Sequence, residues 1–429
     1  MSKQKIEMLK ISIITSIIIF GIFSSSVLSE NQKIENFNIV SIDEKDIYLQ
    51  RVEHYLYIKA EESVQNFIIN YSFPPDYSYQ VPILLEIFND STANIIEYTI
   101  INDISKPNQF AKFMIGPLEK DEIVFIHFTC WVLLFNNTFS DLPSYVKIPN
   151  RHEIPNEYLI WLNSTEVVQK NNFFIKYYAK KLMGEGDNLI SFAQNVSSFI
   201  KEHNYFLFLI QLNLKVFFSQ DAITTLFING ENVGRSHLAC ALLRSNNIPS
   251  RVLLVNNDQG FWTQMHYMIE YYCPNYGWVL IDSTSGKTPY TTNKQIINRI
   301  CFPYDEDDTK KDYIIPFMKG EERWLWVDNE NVIPYYVDCN EGSKSQMFIE
   351  NKITANSFTS DYAFFISQCV FHQYIKYLGE DLNEQNLLHL NKAINNQKQA
   401  INEFKENKNI NEYIYFMDKS YDEYKQIEL

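Results

Sequence analysis

The chain has 429 residues, 46% hydrophobic and 15% aromatic, which is ample for real cores in two or three domains. With 52 acidic against 37 basic residues, its net charge of −15 argues against a nucleic-acid partner and gives no reason to expect attraction to anionic membranes. Six cysteines, Cys130, Cys240, Cys273, Cys301, Cys339 and Cys369, are too widely spaced for a zinc motif, and no CxxC, phosphate-binding glycine loop, HExxH or GxSxG occurs, so no metal or cofactor is expected.

Lys3, Lys5 and Lys10 precede the apolar run Ile11 to Phe23, and Val27-Leu28-Ser29 offers small residues for a signal peptidase. Residues 1–29 therefore read as a signal peptide, with an uncleaved N-terminal anchor as the other reading, since Ile11 to Ser29 could nearly span a bilayer. Either places the protein outside the cell, secreted or on the extracellular face of the membrane, with membrane contact only through an uncleaved N-terminus. Sequons at Asn70, Asn89, Asn136, Asn163 and Asn195 decide little, because a chain so rich in asparagine would hold about as many by chance. Export would also permit disulfides among Cys273, Cys301 and Cys339.

Residues 30–146 show short strands broken by turn residues, including Val81 to Phe88, Ile95 to Ile101 and Ile123 to Phe135, and predict an antiparallel β-sandwich. His54 and His127 lie singly on strands and read as structural. Lys147 to Pro155 is a linker. Glu157 to Ala222 is mostly helical, clearest over Asn172 to Met183 and Asp187 to His203, the latter with Asp187 as an acidic cap.

The stretch Gly230 to Thr284 organises the rest. Gly230 permits a tight turn, Asn232 is a favourable cap for a helix from Val233 to Arg244, and Asn247 with Pro249 ends it, so that Ser250 to Val255 begins a buried strand. Met265 to Tyr272 and Trp278 to Ile281 then form a hairpin about Pro274-Asn275-Tyr276-Gly277. An odd-length connection puts His266 and Asp282 on one sheet face; in a three-residue loop Cys273 pairs with Gly277 and His266 lies opposite Thr284, with Asp282 its diagonal neighbour.

Leu242-Leu243-Arg244, Ile248-Pro249-Ser250-Arg251, His266, Glu270, Gly277-Trp278 and Asp282-Ser283-Thr284 stand in the order and spacing of the core of the transglutaminase-like superfamily, which this segment resembles. The stretch Gln220-Asp221-Ala222 through Gly230 is similar to that family's approach to its cysteine. The resemblance implies an α+β, papain-like core over 147–340 with a Cys-His-Asp mechanism, in which His266 would be the base and Asp282 its orienter. The family's nucleophile position, twelve residues before Arg244, holds Asn232. A carboxamide does not ionise near neutral pH and is no substitute for a thiolate.

The expectation is therefore a catalytically inactive protein in which the degenerate cleft binds a protein or peptide or is purely structural. The competing expectation is an active hydrolase or acyltransferase using another nucleophile, with Cys240 the nearest thiol. His266 and Glu270 share a strand face but lack the further ligands of a metal site.

Asp305-Glu306-Asp307-Asp308 reads as a solvated turn, calcium being the sharper alternative. Trp324, Trp326, Tyr335 and Tyr336 suggest strands closing the core. Residues 341–429 read as a helical region, Ser360 to Leu378 and Asn383 to Leu429 forming a hairpin that covers the core or binds a partner. Mass spectrometry of exported material is expected to find an N-terminus near Glu30; intact Met1 in a membrane fraction would establish an anchor instead.

Overall fold

A computed structural model describes residues 43–202, 219–228, 230–257, 265–308, 325–335 and 344–427. The expected leader, His203, Trp324, Tyr336 and Cys339 lie outside the described residues. The molecule is α+β, with N-terminal antiparallel sheets, a mixed core and C-terminal helices, and Glu44 to Leu429 form one unit.

The sandwich is built on β1 (Glu44–Ala60). It pairs antiparallel with β6 (Ile123–Phe135), which also pairs with β3 (Gln80–Ile87). The facing sheet runs through β2 (Phe67–Phe73), β5 (Gln109–Ile115) and β4 (Ile95–Asn102). Alternating residues such as Leu56 and Ile58 on β1 and Ile126 and Phe128 on β6 enter the space between the sheets, as a period of two requires. His54, fully buried, stacks on Phe128 at 4.7 Å and bonds to Ser345 Oγ at 2.7 Å, and burial lowers its pKa to about 3. His127 is wedged between Tyr55 and Phe88, with ring nitrogens 2.8 Å from Asp90 and 2.8 Å from Glu53. Both histidines have structural partners.

The second domain opens with α1 (Phe173–Met183) and α2 (Leu189–Glu202). Asn172 caps α1 through the Phe174 N–H, but α2 departs from expectation: Asn188, not Asp187, takes the Ile190 N–H at 3.1 Å, while Asp187 accepts the Tyr145 hydroxyl. Then come α3 (Ala222–Phe227), α4 (Asn232–Ser245) and an antiparallel sheet of β7 (Ser250–Asn257), β8 (Met265–Cys273), β9 (Gly277–Ile281) and β10 (Gln295–Ile300), ordered β10-β7-β8-β9. The apolar face of that sheet and the buried α4 share one core with α1 and α2.

Three expectations are corrected. The strands after residue 324 join the sandwich sheets, β11 (Leu325–Val327) beside β2 and β12 (Val332–Pro334) beside β1, although Trp326 itself packs against the second-domain core. The region after 341 is not wholly helical, because β13 (Lys344–Asn356) pairs with β1 from Glu44 to Tyr55. Nor do the C-terminal helices cover the second domain. After α5 (Pro303–Asp308), α6 (Ser357–Tyr377), α7 (Glu384–Asn402) and α8 (Ile410–Lys425) pack on the sandwich, where Phe364 stacks on Phe135 and Gln397 donates to the Ile83 carbonyl.

The two domains are joined through the edge strand β10. Gln80 donates to the Ile297 carbonyl at 2.8 Å and accepts the Ile297 N–H at 2.9 Å, and Asn108 does the same for Ile300 at 2.8 and 2.9 Å. A carboxamide carries the donor and acceptor of a peptide unit, so these two side chains continue the ladder and cover an otherwise open edge. Asn108→Ala, which orphans two buried backbone groups, is expected to lower stability by about 1–3 kcal/mol. An unchanged denaturation midpoint would show that the edge is satisfied otherwise.

Candidate functional site

The site starts at the first turn of α4. Gly230 and Gly234 let α3 press against that turn: a Cβ on either would overlap the Thr225 side chain. Gln220 fixes the helix start by accepting the Glu231 N–H at 2.9 Å, one of the donors that a helix N-terminus leaves orphaned. The cap residue is Glu231, so Asn232 is the first residue inside the helix and not its cap. Its carboxamide is thereby released to face β8. At the other end, Asn247 is left-handed (φ 59°), and the Ile248 and Asn247 N–H groups return to the Leu243 and Arg244 carbonyls, which closes the helix and starts β7.

The β8–β9 connection is the three-residue loop Pro274 to Tyr276, with Cys273 opposite Gly277 and positive φ at Asn275 (63°) and Gly277 (106°). This odd spacing sets His266 and Asp282 on one face. His266 Nδ1 lies 3.1 Å from Asn232 Nδ2, and its Nε2 lies 3.1 Å from Asp282 Oδ1. All three residues are buried. Burial alone would raise the Asp282 pKa, but the hydrogen bond and charge of His266 and the Thr284 N–H, 3.0 Å away, outweigh it and hold the carboxyl below its usual range. Asp282 is thus ionised and is the acceptor facing Nε2, while Asn232 Nδ2, which can only donate, faces Nδ1.

Two arginines brace these elements. Arg251, cross-strand from Glu270, donates to it at 2.9 Å and lies 3.8 Å from the Trp278 ring centroid. Arg244, fully buried, donates to the Ser250 carbonyl at 2.9 and 2.7 Å, to the Asn163 carbonyl at 3.0 Å and to Glu306 through both terminal nitrogens. The acidic cluster is accordingly not a solvated turn. Asp305 pairs with Arg299 at 2.9 Å, Glu306 pairs with Arg244, and Asp307 accepts the Glu166 N–H at 2.8 Å. Burial raises the pKa of Asp305 and of Glu306 despite these partners. Among the described residues no group of three or more His, Cys, Asp or Glu side chains is arranged to hold a metal.

With this geometry in view, the comparisons with known proteins fall into place. A model of the transglutaminase-like superfamily matches residues 176–283, which run from α1 to the turn after Asp282. The protein carries a transglutaminase-like domain. A solved structure from Cytophaga hutchinsonii, titled a "putative cysteine protease", is similar with a TM-score of 0.50 at 13% identity, over 73% of this chain and 92% of that one, a likeness of fold. No curated protein matches the chain.

Within the transglutaminase-like domain, Cys240 is poorly placed to act. It is wholly buried two turns beyond Asn232, roughly 12 Å along the axis, and burial pushes its thiol up to about 12. Cys273, expected to be available for a disulfide, is a free buried thiol. Gln220 and Thr225 lie in the stretch whose motif was visible, but their roles in seating α4 were not, since each acts through a fold contact. Cys240 is expected to resist iodoacetamide in the native protein and to be alkylated only after unfolding; labelling that requires the folded state would reverse this reading.

Proposed function

We propose that this transglutaminase-like protein does not carry out thiol-dependent acyl transfer, and that Asn232, His266 and Asp282 form a polar cleft element that binds a protein or peptide on the outside of the cell. The observation that carries the reading is the Asn232 carboxamide donating to His266 Nδ1, where a thiolate would have to stand. A cysteine–histidine pair works by separating charge: the thiol ionises beside an imidazolium at a helix N-terminus. An amide donor selects the opposite state, a neutral ring with its proton on the Asp282 side. Loss of a nucleophile leaves only binding and electrostatic effects, several orders of magnitude below an intact triad. The burial of Cys240 counts against it as a competing nucleophile. The groups that remain, backbone amide donors in the first turn of α4, are suited to holding a peptide carbonyl.

Replacement of Asn232 by Cys tests whether the rest of the apparatus is aligned. The new thiol is expected to react with iodoacetamide well below the ordinary thiol pKa of about 8.5 and to lose that advantage when His266→Ala is added. Wild-type protein should hydrolyse no peptide amide in the same assay. Thiol-sensitive turnover by the wild type, or a cysteine at 232 that behaves as an ordinary thiol with or without His266, would count against the proposal.

A further inference from the structure

The whole-chain charge conceals a local reversal on α1. Residues 167–184 carry Lys170, Lys176, Lys180 and Lys181 and no acidic residue, although acids outnumber bases by 52 to 37 in the chain. Ile175 and Ala179 form the buried side of this helix. Its outer ridge therefore runs through Phe173, Tyr177 and Lys180, at i, i+4 and i+7, flanked by Lys176 on one side and by Phe174 and Lys181 on the other.

The aromatic residues of this ridge are unusually open. Phe173 is 73% exposed, Tyr177 56% and Phe174 45%, and Phe227 at the end of α3, itself 51% exposed, meets Phe174 edge-on at 4.9 Å. Four large rings on one convex surface are more than chance scatter of single apolar residues. Among the described residues no ion pair engages Lys176, Lys180 or Lys181. Nearby cations share the same field: the Lys170 pKa is lowered first by burial and then by the charges of Arg151, Arg244 and Lys176.

We infer that this ridge is a docking surface for an anionic lipid bilayer, the phenyl rings entering the headgroup boundary while the lysines meet the phosphates. Charge complementarity selects the partner, because uncompensated lysines on an otherwise acidic protein attract an anionic surface and little else. The exposed rings favour lipid over an acidic protein or polymer, because they can enter a deformable apolar medium, whereas a folded partner would need a matching groove. Phe227 lies five residues before Asn232, so docking would bring the mouth of α4 close to the bilayer.

The test is sedimentation of the full chain with vesicles of phosphatidylcholine alone or mixed with phosphatidylserine. Lys3, Lys5 and Lys10 and the apolar run at Ile11 to Phe23 are the same in wild type and in every ridge variant, so the ridge's share is read as the difference between wild type and variant at each composition. Wild-type binding should rise when phosphatidylserine is added and fall again at high salt. Lys176→Gln, Lys180→Gln and Lys181→Gln should cut that rise by about fivefold each. Phe173→Ser with Phe174→Ser should weaken binding to the mixed vesicles, with the circular dichroism unchanged. A rise that is undiminished by removal of the three lysines overturns the inference. So does a wild type that ignores vesicles but binds a soluble polyanion such as heparin with or without the two phenylalanines.

Discussion

Arg244 and Glu306 form the contact on which the second domain turns. Both are wholly buried, and each would cost several kcal/mol if left without the other. The guanidinium has more donors than one carboxylate can use, and the surplus goes to the Ser250 and Asn163 carbonyls. One side chain thereby fixes the end of α4, the first residue of β7, the segment before α1, and α5. A planar fork with five fixed donors can serve all of these at once, which an ammonium could not. The position of Asn232 at the far end of α4, and of His266 on the strand beside β7, follows from that anchoring.

Much of this was legible because it depends on local chemistry. The left-handed Asn247 before Ile248-Pro249 ends a helix wherever it occurs, and Asn275 and Gly277 supply the positive φ that a three-residue hairpin connection needs. The relation between His266 and Asp282 then reduces to counting residues around a loop. Other features were hidden because their causes lie far away in the chain. Residues 344–356, in which Asn351, Lys352 and Asn356 interrupt the apolar positions, read poorly as a strand; what makes them one is β1, some 300 positions earlier. The same holds for Leu325 to Val327 beside β2. Asn232 looked like a cap since Asn is favoured there and Glu is not. Gln220 overrides that preference by satisfying the Glu231 N–H. The acidic run looked solvated because the cations that bury it, Arg244 and Arg299, come from separate elements.

At the site itself the exchange of one residue alters which charge state the surroundings favour. A thiolate at a helix start needs a positive ring beside it. A carboxamide of nearly the same reach needs only an acceptor, which the neutral ring provides. The chain therefore keeps the geometry of an acid–base centre, with His266 held between Asn232 and the ionised Asp282.

The strand order of the first sheet has a consequence for biosynthesis. β1 is the first strand among the described residues, yet the partners along one of its edges, β12 and β13, lie more than 270 positions later. Chains usually fold domain by domain as they emerge. Here the first domain stays unfinished until nearly all of the second has been made, so the nascent sandwich carries an open strand edge through most of translation. Through that interval the unpaired edge of β1 is open to pairing with other chains.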